Sequence, residues 1–441
     1  MTTQTARRVP DLAPSTEFTL PACDERKLDN GLTILAIQRS SVPLVEVRLR
    51  IPFVDAPVAD SSVLAQTLLS GTAEKSIVDI AAELQSVGGA LGASVDPDRL
   101  LVSGNALVDG LPRLLGTLSE VLHGAAYPTD QVTVERERLA DHINVARQQP
   151  GHLVQVALLR RMYGTHPYSI QTPDPEEVGA VTPEQLLTLH GGRIHPSGAT
   201  LVIVGDLPTE RALDFGERAL ADWNGHTPPR EPEPVPPLRP GPVTLVDRPE
   251  SVQSSLRIAL TGVSRTHPDN AAQQLANLIY GGYFSSRMVA NVRENKGYSY
   301  SPRSGVDHAL AGTAVVISAD VATEVTAPAL WEMWYDLGRI ASTAPTQDEL
   351  DQARRYALGT LRLGTATQSG LASLTSSFAG WGLRPDWLLG HANRLATVSI
   401  EDVQRVAAEI FAPTKAITVV LGDSTHVKAP LEALTTVDGE E

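Results

Sequence analysis

Arg293 and Tyr300 stand seven positions apart, flanking the run Glu294-Asn295-Lys296-Gly297. A guanidinium and a phenol brought to one point offer hydrogen-bond donors that can hold a peptide carbonyl and steady the charge that grows on its oxygen under nucleophilic attack. Spacing alone favours a plainer account, a cation at a helix C-terminus followed by a half-buried aromatic. Elsewhere no self-contained catalytic motif forms. The eleven histidines include no pair at i,i+3 or i,i+4, the spacings that put two imidazoles on one helix face. His190 and His195 come nearest, with Gly191-Gly192 between them. H-x-x-E-H, H-E-x-x-H and G-x-S-x-G are all missing, and neither Gly88-Gly89 nor Gly281-Gly282 matches a phosphate loop. His166 and His308 are unpaired and are given no metal role.

The elements that must position Arg293 and Tyr300 can be read locally. Ser285 or Ser286 is a candidate N-cap for a helix whose Met288, Val289 and Val292 point inward. Arg293 then falls in the last turn, where the helix dipole favours a cation. Gly297 suits the left-handed residue that stops a helix, and Tyr298-Ser299-Tyr300 alternates as a strand would. Gly281-Gly282 reads as a turn before this helix, or as a loop that admits substrate. Trp331, Trp334 and Tyr335 fall at helical spacing and read as core or interface packing. Arg136-Glu137-Arg138 reads as a solvated helix face.

On a larger scale the chain is duplicated. Residues 181–206 and 398–423 align without a gap at an offset of 217, with Pro196 on Pro413 and Gly205-Asp206 on Gly422-Asp423. Each copy runs from a candidate N-cap, Thr182 or Ser399, through a helical pattern and a proline to a β-branched run. Between the copies, residues 228–242 hold eight prolines in fifteen positions, an extended spacer. Helical spacing covers 76–87, 110–122, 183–190, 269–280, 329–337 and 347–361. Strand patterns cover 33–38, 44–51, 100–105, 201–204, 254–260, 313–318 and 417–421. The mixture points to α+β: two homologous sandwich-like domains, each a mainly antiparallel sheet covered by helices, together one half of a clamshell. The expected boundaries are an N-terminal tail (1–24), a domain (25–225), the linker (226–243), a second domain (244–425) and a C-terminal tail (426–441).

Composition narrows the function classes. The 441 residues are 42% apolar, enough for sizeable cores, and carry 36 basic against 51 acidic side chains for a net charge of −15. That balance argues against a nucleic-acid or anionic-lipid partner. The single cysteine, Cys23, allows no internal disulfide and no thiolate cluster. No apolar run reaches signal-peptide or membrane-span length, so a soluble, cytoplasmic protein is expected.

Several stretches resemble the pitrilysin family, the inverzincin metallopeptidases, and within it the small-subunit bacterial group related to mitochondrial processing peptidase. They are Leu28-Asp29-Asn30-Gly31-Leu32, residues 61–72 (SSVLAQTLLSGT), His166-Pro167-Tyr168, the two repeat units and, most specifically, residues 281–300 (GGYFSSRMVANVRENKGYSY). In catalytic members the stretch matching residues 62–72 reads H-F-L-E-H-M-L-F-K-G-T. Anchored on Gly71-Thr72, the zinc histidines fall at Ser62 and Gln66 and the catalytic glutamate at Ala65. Counting from Glu137-Arg138 puts the third ligand at Asn144. Zinc takes nitrogen, thiolate or carboxylate donors, so no hydrolytic zinc site is expected in this chain.

The resemblance reverses the plain account of Arg293 and Tyr300. It implies that Tyr300 donates a hydrogen bond to the scissile carbonyl and that Arg293 holds a substrate carbonyl or steadies Tyr300, with Gly281 and Gly282 beside the substrate. Tyr298 is the rival tyrosine, but Tyr300 keeps the family's seven-residue spacing. The implied partner is a homologous H-x-x-E-H chain that carries the zinc, forming a heterodimer that cleaves small or unfolded peptides. The alternative is an inert peptide-binding or scaffold subunit like the core proteins of respiratory complexes.

Overall fold

The structure, a computed structural model, describes residues 18–225 and 228–439, so most of the expected N-terminal tail lies outside the described residues. Twelve strands form two six-stranded sheets. The first contains β1 (Cys23–Lys27), β2 (Thr33–Gln38), β3 (Leu44–Pro52), β4 (Ala90–Asp96), β5 (Arg99–Leu107) and β6 (Thr200–Gly205), in the order β1-β2-β6-β3-β5-β4. The second contains β7 (Val243–Asp247), β8 (Gln253–Thr261), β9 (Arg303–His308), β10 (Thr313–Ala322), β11 (Ile417–Gly422) and β12 (Val437–Gly439), in the order β12-β7-β11-β8-β10-β9. Without the edge strands β1 and β12 the two orders are the same. Only β2–β6 is parallel in the first sheet, and β7–β11 and β7–β12 in the second.

The repeat units sit at the heart of each sheet. Helix Pro183–Arg193 leads into β6, and helix Ile400–Ile410, 217 residues on, leads into β11. Both begin with a capping box, Thr182 with Gln185 and Ser399 with Asp402, which satisfies otherwise orphaned N–H groups. β6 and β11 are central strands with both faces covered, hence their unbroken apolar runs. The repeated glycine has a steric reason. A Cβ at Gly205 would lie 2.7 Å from the Leu44 carbonyl oxygen, and one at Gly422 would lie 2.5 Å from Ser254 Oγ.

All seven strands expected from periodicity are present, but β1, β4, β7, β9 and β12 carry weaker signals. β4 (ALGASVD) is an edge strand with no fully buried residue, so nothing in it demands an apolar alternation. The stretch read as a C-terminal tail, 426–441, is not one as far as Gly439. Helix Ser424–Glu432 packs by Val427 and Leu431 into the core, and β12 extends the sheet beside β7. Helix 269–280 also ends differently: it is α-helical over Asn270–Asn277 and continues as a wider π turn over Leu278–Gly282.

One face of each sheet is buried under helices of its own half, around Leu49, Leu64 and Leu118 in the first and Ile258, Leu330 and Val406 in the second. The other face is covered by a helix from the opposite half. Val154, Ala157, Leu158 and Met162 of helix Pro150–Tyr163 pack on Ala259, Ile417 and Val419 of the second sheet. Leu371 and Ala372 of helix Gln368–Ala379 pack on Leu35, Ile37, Val202 and Val204 of the first. The exchange is reciprocal and follows the internal duplication.

Polar contacts close the same junction. Tyr168 donates to Asp98 Oδ1 (2.5 Å), while Asp98 Oδ2 accepts from the Leu310 N–H (3.0 Å) and Tyr168 Oη accepts from the Ala311 N–H (3.1 Å). Gln368 Nε2 donates to the carbonyls of Arg39, Val42 and Leu44. The proline-rich linker is docked rather than free: Arg161 donates to the Arg239 carbonyl (2.9 Å). His166 Nδ1 accepts from the Tyr168 N–H, so Nε2 carries the proton that meets the Glu233 carbonyl at 2.9 Å.

Two histidines of the second half make stability pH-dependent. His391 stacks on Trp387 (4.7 Å between ring centres, 9° between planes) and meets Gln274 Oε1 at 2.8 Å. Burial, then Arg394 and Arg265, bring its pKa down to about 4. His308 contacts Thr313 Oγ1 at 3.0 Å, and burial, Arg265 and His391 likewise bring it down to about 4. Both are depressed below the ordinary value, so unfolding takes up protons. Stability is therefore full above about pH 6.5 and is lost on acidification towards about pH 4, by up to about 1.4 kcal/mol per pH unit per histidine. Urea midpoints measured between pH 7 and pH 4.5 should fall accordingly. The fall should flatten in His391→Gln, and an equal slope in that variant would refute the assignment.

Candidate functional site

The helix that carries Arg293 is locked from several sides. Ser286 occupies the N-cap position, but its hydroxyl makes no cap bond and is buried without a partner among the described residues. The anchor is instead Arg287, which grips Glu349 through Nε (2.7 Å) and Nη2 (2.9 Å) and, with burial opposing, helps hold that carboxyl at about 2. Met288, Val289 and Val292 are buried as expected. Asn291 donates to Glu332 (2.8 Å) and Asp336 (2.9 Å) on the long helix Thr326–Ser342.

Over Ala290–Asn295 the winding is π-helical, with the Lys296 N–H bonded to the Asn291 carbonyl at 3.0 Å. Such turns occur often at functional sites. Gly297 adopts φ +66°, the expected left-handed stop. Tyr298-Ser299-Tyr300 is not a strand, because β9 starts only at Arg303. The segment is instead tied down by Ser299 Oγ, which donates to the Asp320 carbonyl at 2.8 Å. Tyr300 faces outward all the same.

Arg293 and Tyr300 do meet. The guanidinium carbon lies 4.9 Å from the centre of the Tyr300 ring and 4.7 Å from that of Phe284, so the cation is held between two aromatic faces. Nε also reaches Glu294 Oε1 at 3.1 Å. Tyr300 is 82% exposed and Phe284 61%, while Tyr298 packs against the core and has no such contact with Arg293. Phe284 was missed by sequence reasoning, and the only signal for it was an aromatic following Gly281-Gly282-Tyr283.

Gly281 and Gly282 close the π turn rather than forming a free turn. A Cβ on Gly281 would come within 2.8 Å of Met288 Cε and 3.0 Å of Ser304 Cβ. Gly281 therefore lets the turn press against the Arg293 helix, while a Cβ on Gly282 would meet Asn277 and Leu278 instead.

The three aromatics of the long helix divide between its two faces. Trp331 (53% exposed) and Tyr335 (52%) stand on the outer stripe of helix Thr326–Ser342, because Leu330, Met333, Leu337 and Ile340 form its inner one. Trp334 alone packs against the core. Arg136 is also not simply solvated, since it donates to the Val181 carbonyl at 2.8 Å.

The degenerate zinc positions lie on two helices that pack together, Val58–Thr67 and Thr129–Ala146. Ser62 turns its hydroxyl back to the Val58 carbonyl (2.7 Å), Ala65 is buried, and Gln66 and Asn144 are exposed. Among the described residues no group of three or more His, Cys, Asp or Glu side chains could hold a metal ion. One hydroxyl, one methyl and two amides do not fit zinc.

The family model described as insulinase, peptidase family M16, matches residues 61–176, and the one described as peptidase M16 inactive domain matches residues 180–356. The chain belongs to the peptidase M16 family. Among M16 relatives, an uncharacterized zinc protease of Streptomyces coelicolor is 23% identical over 370 residues, covering 81% of this chain and 79% of its own. A probable inactive metalloprotease of Bacillus subtilis is 26% identical over 199 residues, 43% of this chain and 45% of that one. The M16 fold is seen in the solved peptidase M16 inactive domain from Pseudomonas fluorescens (TM-score 0.82, 24% identity, 91% of this chain and 98% of that one). A protease from Helicobacter pylori is similar too (TM-score 0.84, 17% identity, 91% and 100%). The positions expected to hold zinc, Ser62, Ala65, Gln66 and Asn144, carry no zinc donors. No helix among the described residues is long and apolar enough to cross a membrane.

Proposed function

We propose that this chain is the zinc-free subunit of a two-chain M16 peptidase, lending Arg293 and Tyr300 to the zinc site of a homologous H-x-x-E-H partner. The observation that carries this reading is the clamped guanidinium: Arg293 between Phe284 and Tyr300, on a helix fastened by Arg287 and Asn291. A purely structural arginine has no need of an 82% exposed phenol whose hydroxyl bonds to no described residue. The partner's zinc would supply the activated water. This chain's part is to orient the peptide and to donate from Tyr300 Oη to the carbonyl oxygen as charge develops there, while Arg293 holds the ring in place and offers its outer N–H groups to a second carbonyl. Short or unfolded peptides are the substrates that a cavity between two such subunits admits.

The test is reconstitution. The chain is co-expressed with an H-x-x-E-H homologue from the same genome, and each chain and the pair are assayed on unfolded peptides with added zinc. Hydrolysis that requires both chains is expected. Full activity from the zinc chain alone would leave this chain a scaffold.

A further inference from the structure

β3 sends Leu49 and Ile51 into the core of the first half, so the alternate side chains Arg48 and Arg50 lie on the opposite face, beneath helix Gln368–Ala379. The two arginines differ in their surroundings. Arg48 is fully engaged, with Glu46 (2.9 Å), Ser369 Oγ (2.9 Å) and the Gly104 carbonyl (3.2 Å). Arg50 is only 6% exposed and has no hydrogen bond or ion pair with any described residue. Its guanidinium lies flat against Gly380, where an added Cβ would fall 2.8–2.9 Å from Nη2, Cζ and Nε. Burial disfavours its charge, and Asp96 and Asp98 offset that only from beyond ion-pair distance.

Arg50 lines a cleft of about 470 Å³ where both halves and the linker converge. Arg230 and Glu231 enter it from the linker, Asp98 from the first half and Trp381 from the second. Asp98 already accepts from Tyr168 and Leu310, one bond on each oxygen. Arg265 lies over the indole, 4.8 Å from the ring centre. Two guanidinium groups, Arg50 and Arg230, thus line the cleft with two carboxylates, one of them engaged, beside an aromatic wall.

We propose that this cleft binds a small monoanionic carboxylate with an apolar body, its two oxygens on the Arg50 fork and its body against Trp381. The planar fork matches a carboxylate in two parallel bonds, and the nearby Asp98 and Glu231 disfavour a dianion. The carboxylate belongs to a free organic acid or to a peptide C-terminus. The cleft shares no residue with the Arg293–Tyr300 element, and the proposal does not depend on the peptidase reading.

The test is calorimetric titration and thermal melting of the whole chain with N-acetyl-phenylalanine, a short peptide acid, the two corresponding C-terminal amides, and inorganic phosphate. Saturable binding of an acid with a raised Tm is expected, the amide being about tenfold weaker or more. The two acids separate the free-acid source from the peptide one. Arg50→Met should abolish the shift. Should that variant not fold, Arg230→Ala, at an exposed linker position, should still weaken binding severalfold. Acid and amide of equal affinity, phosphate equal to the acids, no saturation at millimolar concentration, or indifference to Arg230→Ala would each overturn the site.

Discussion

Tyr300→Phe is expected to lower kcat of the reconstituted two-chain enzyme by about 10²–10³-fold, equivalent to about 2.7–4 kcal/mol of lost transition-state stabilisation. The stability of the chain itself should not change. The substitution removes one oxygen from a side chain that is 82% exposed, and changes at such positions usually stay within about 0.5 kcal/mol. KM should change little, because a donor aimed at developing charge contributes mainly in the transition state. The Phe ring still packs on Arg293, so the variant separates the hydroxyl from the stacking. Steady-state kinetics on a fluorogenic peptide, with Tm measured in parallel, decide the matter. A change in KM alone, or none at all, removes Tyr300 from the chemistry. Arg293→Lys is the useful companion: lysine keeps the charge but lacks the planar face that lies between Phe284 and Tyr300.

Leu371→Ala is expected to cost about 2–5 kcal/mol of folding stability, the range for emptying a packed leucine site. Leu371 is 0% exposed and lies on the exchanged helix against Leu35, Ile37, Val202 and Val204 of the opposite half. Leu158→Ala, on the reciprocal helix, should cost a similar amount. Each helix is covalently part of one half and packs on the sheet of the other, so the penalty belongs to both halves. Urea unfolding followed by tryptophan fluorescence should give a single transition in the parent chain, shifted to lower urea in either variant. Two separate transitions in the parent, with only one moved by Leu371→Ala, would show that the halves fold independently despite the exchange.

The duplication was legible because each repeat unit carries its own local instructions: a capping box, a helix, a proline stop and a strand apolar on both faces. Those signals survive in a single sequence, and Pro183–Arg193 with β6 and Ile400–Ile410 with β11 follow them closely. Edge strands were harder to read. β4 and β9 pair on one side only and bury little, so their residues need no strand-like pattern. The segment after Gly297 was read as a strand from two alternating tyrosines, yet its conformation is set by Ser299 reaching the backbone of β10, a contact that local pattern does not encode. Trp331, Trp334 and Tyr335 were read together as core or interface packing, because helical spacing identifies a stripe but not which way it faces, and of the three Trp334 is the one packed against the core.

By itself the sequence determined the α+β class, the two homologous halves, the lack of zinc donors at Ser62, Ala65, Gln66 and Asn144, and the Arg293-to-Tyr300 spacing. The class, the halves and the spacing follow from residue type and order along the chain, whereas the ligand positions follow from the resemblance to the family. The tertiary structure alone decided that Phe284 completes the clamp on Arg293, that each half lends a helix to the other's sheet, and that Arg50 is left buried beside Trp381 with no hydrogen bond to any described residue. The reason is distance along the chain. Capping, periodicity and motif spacing act over a few residues, whereas Arg50 and Gly380 meet only when a helix more than three hundred residues away closes over β3.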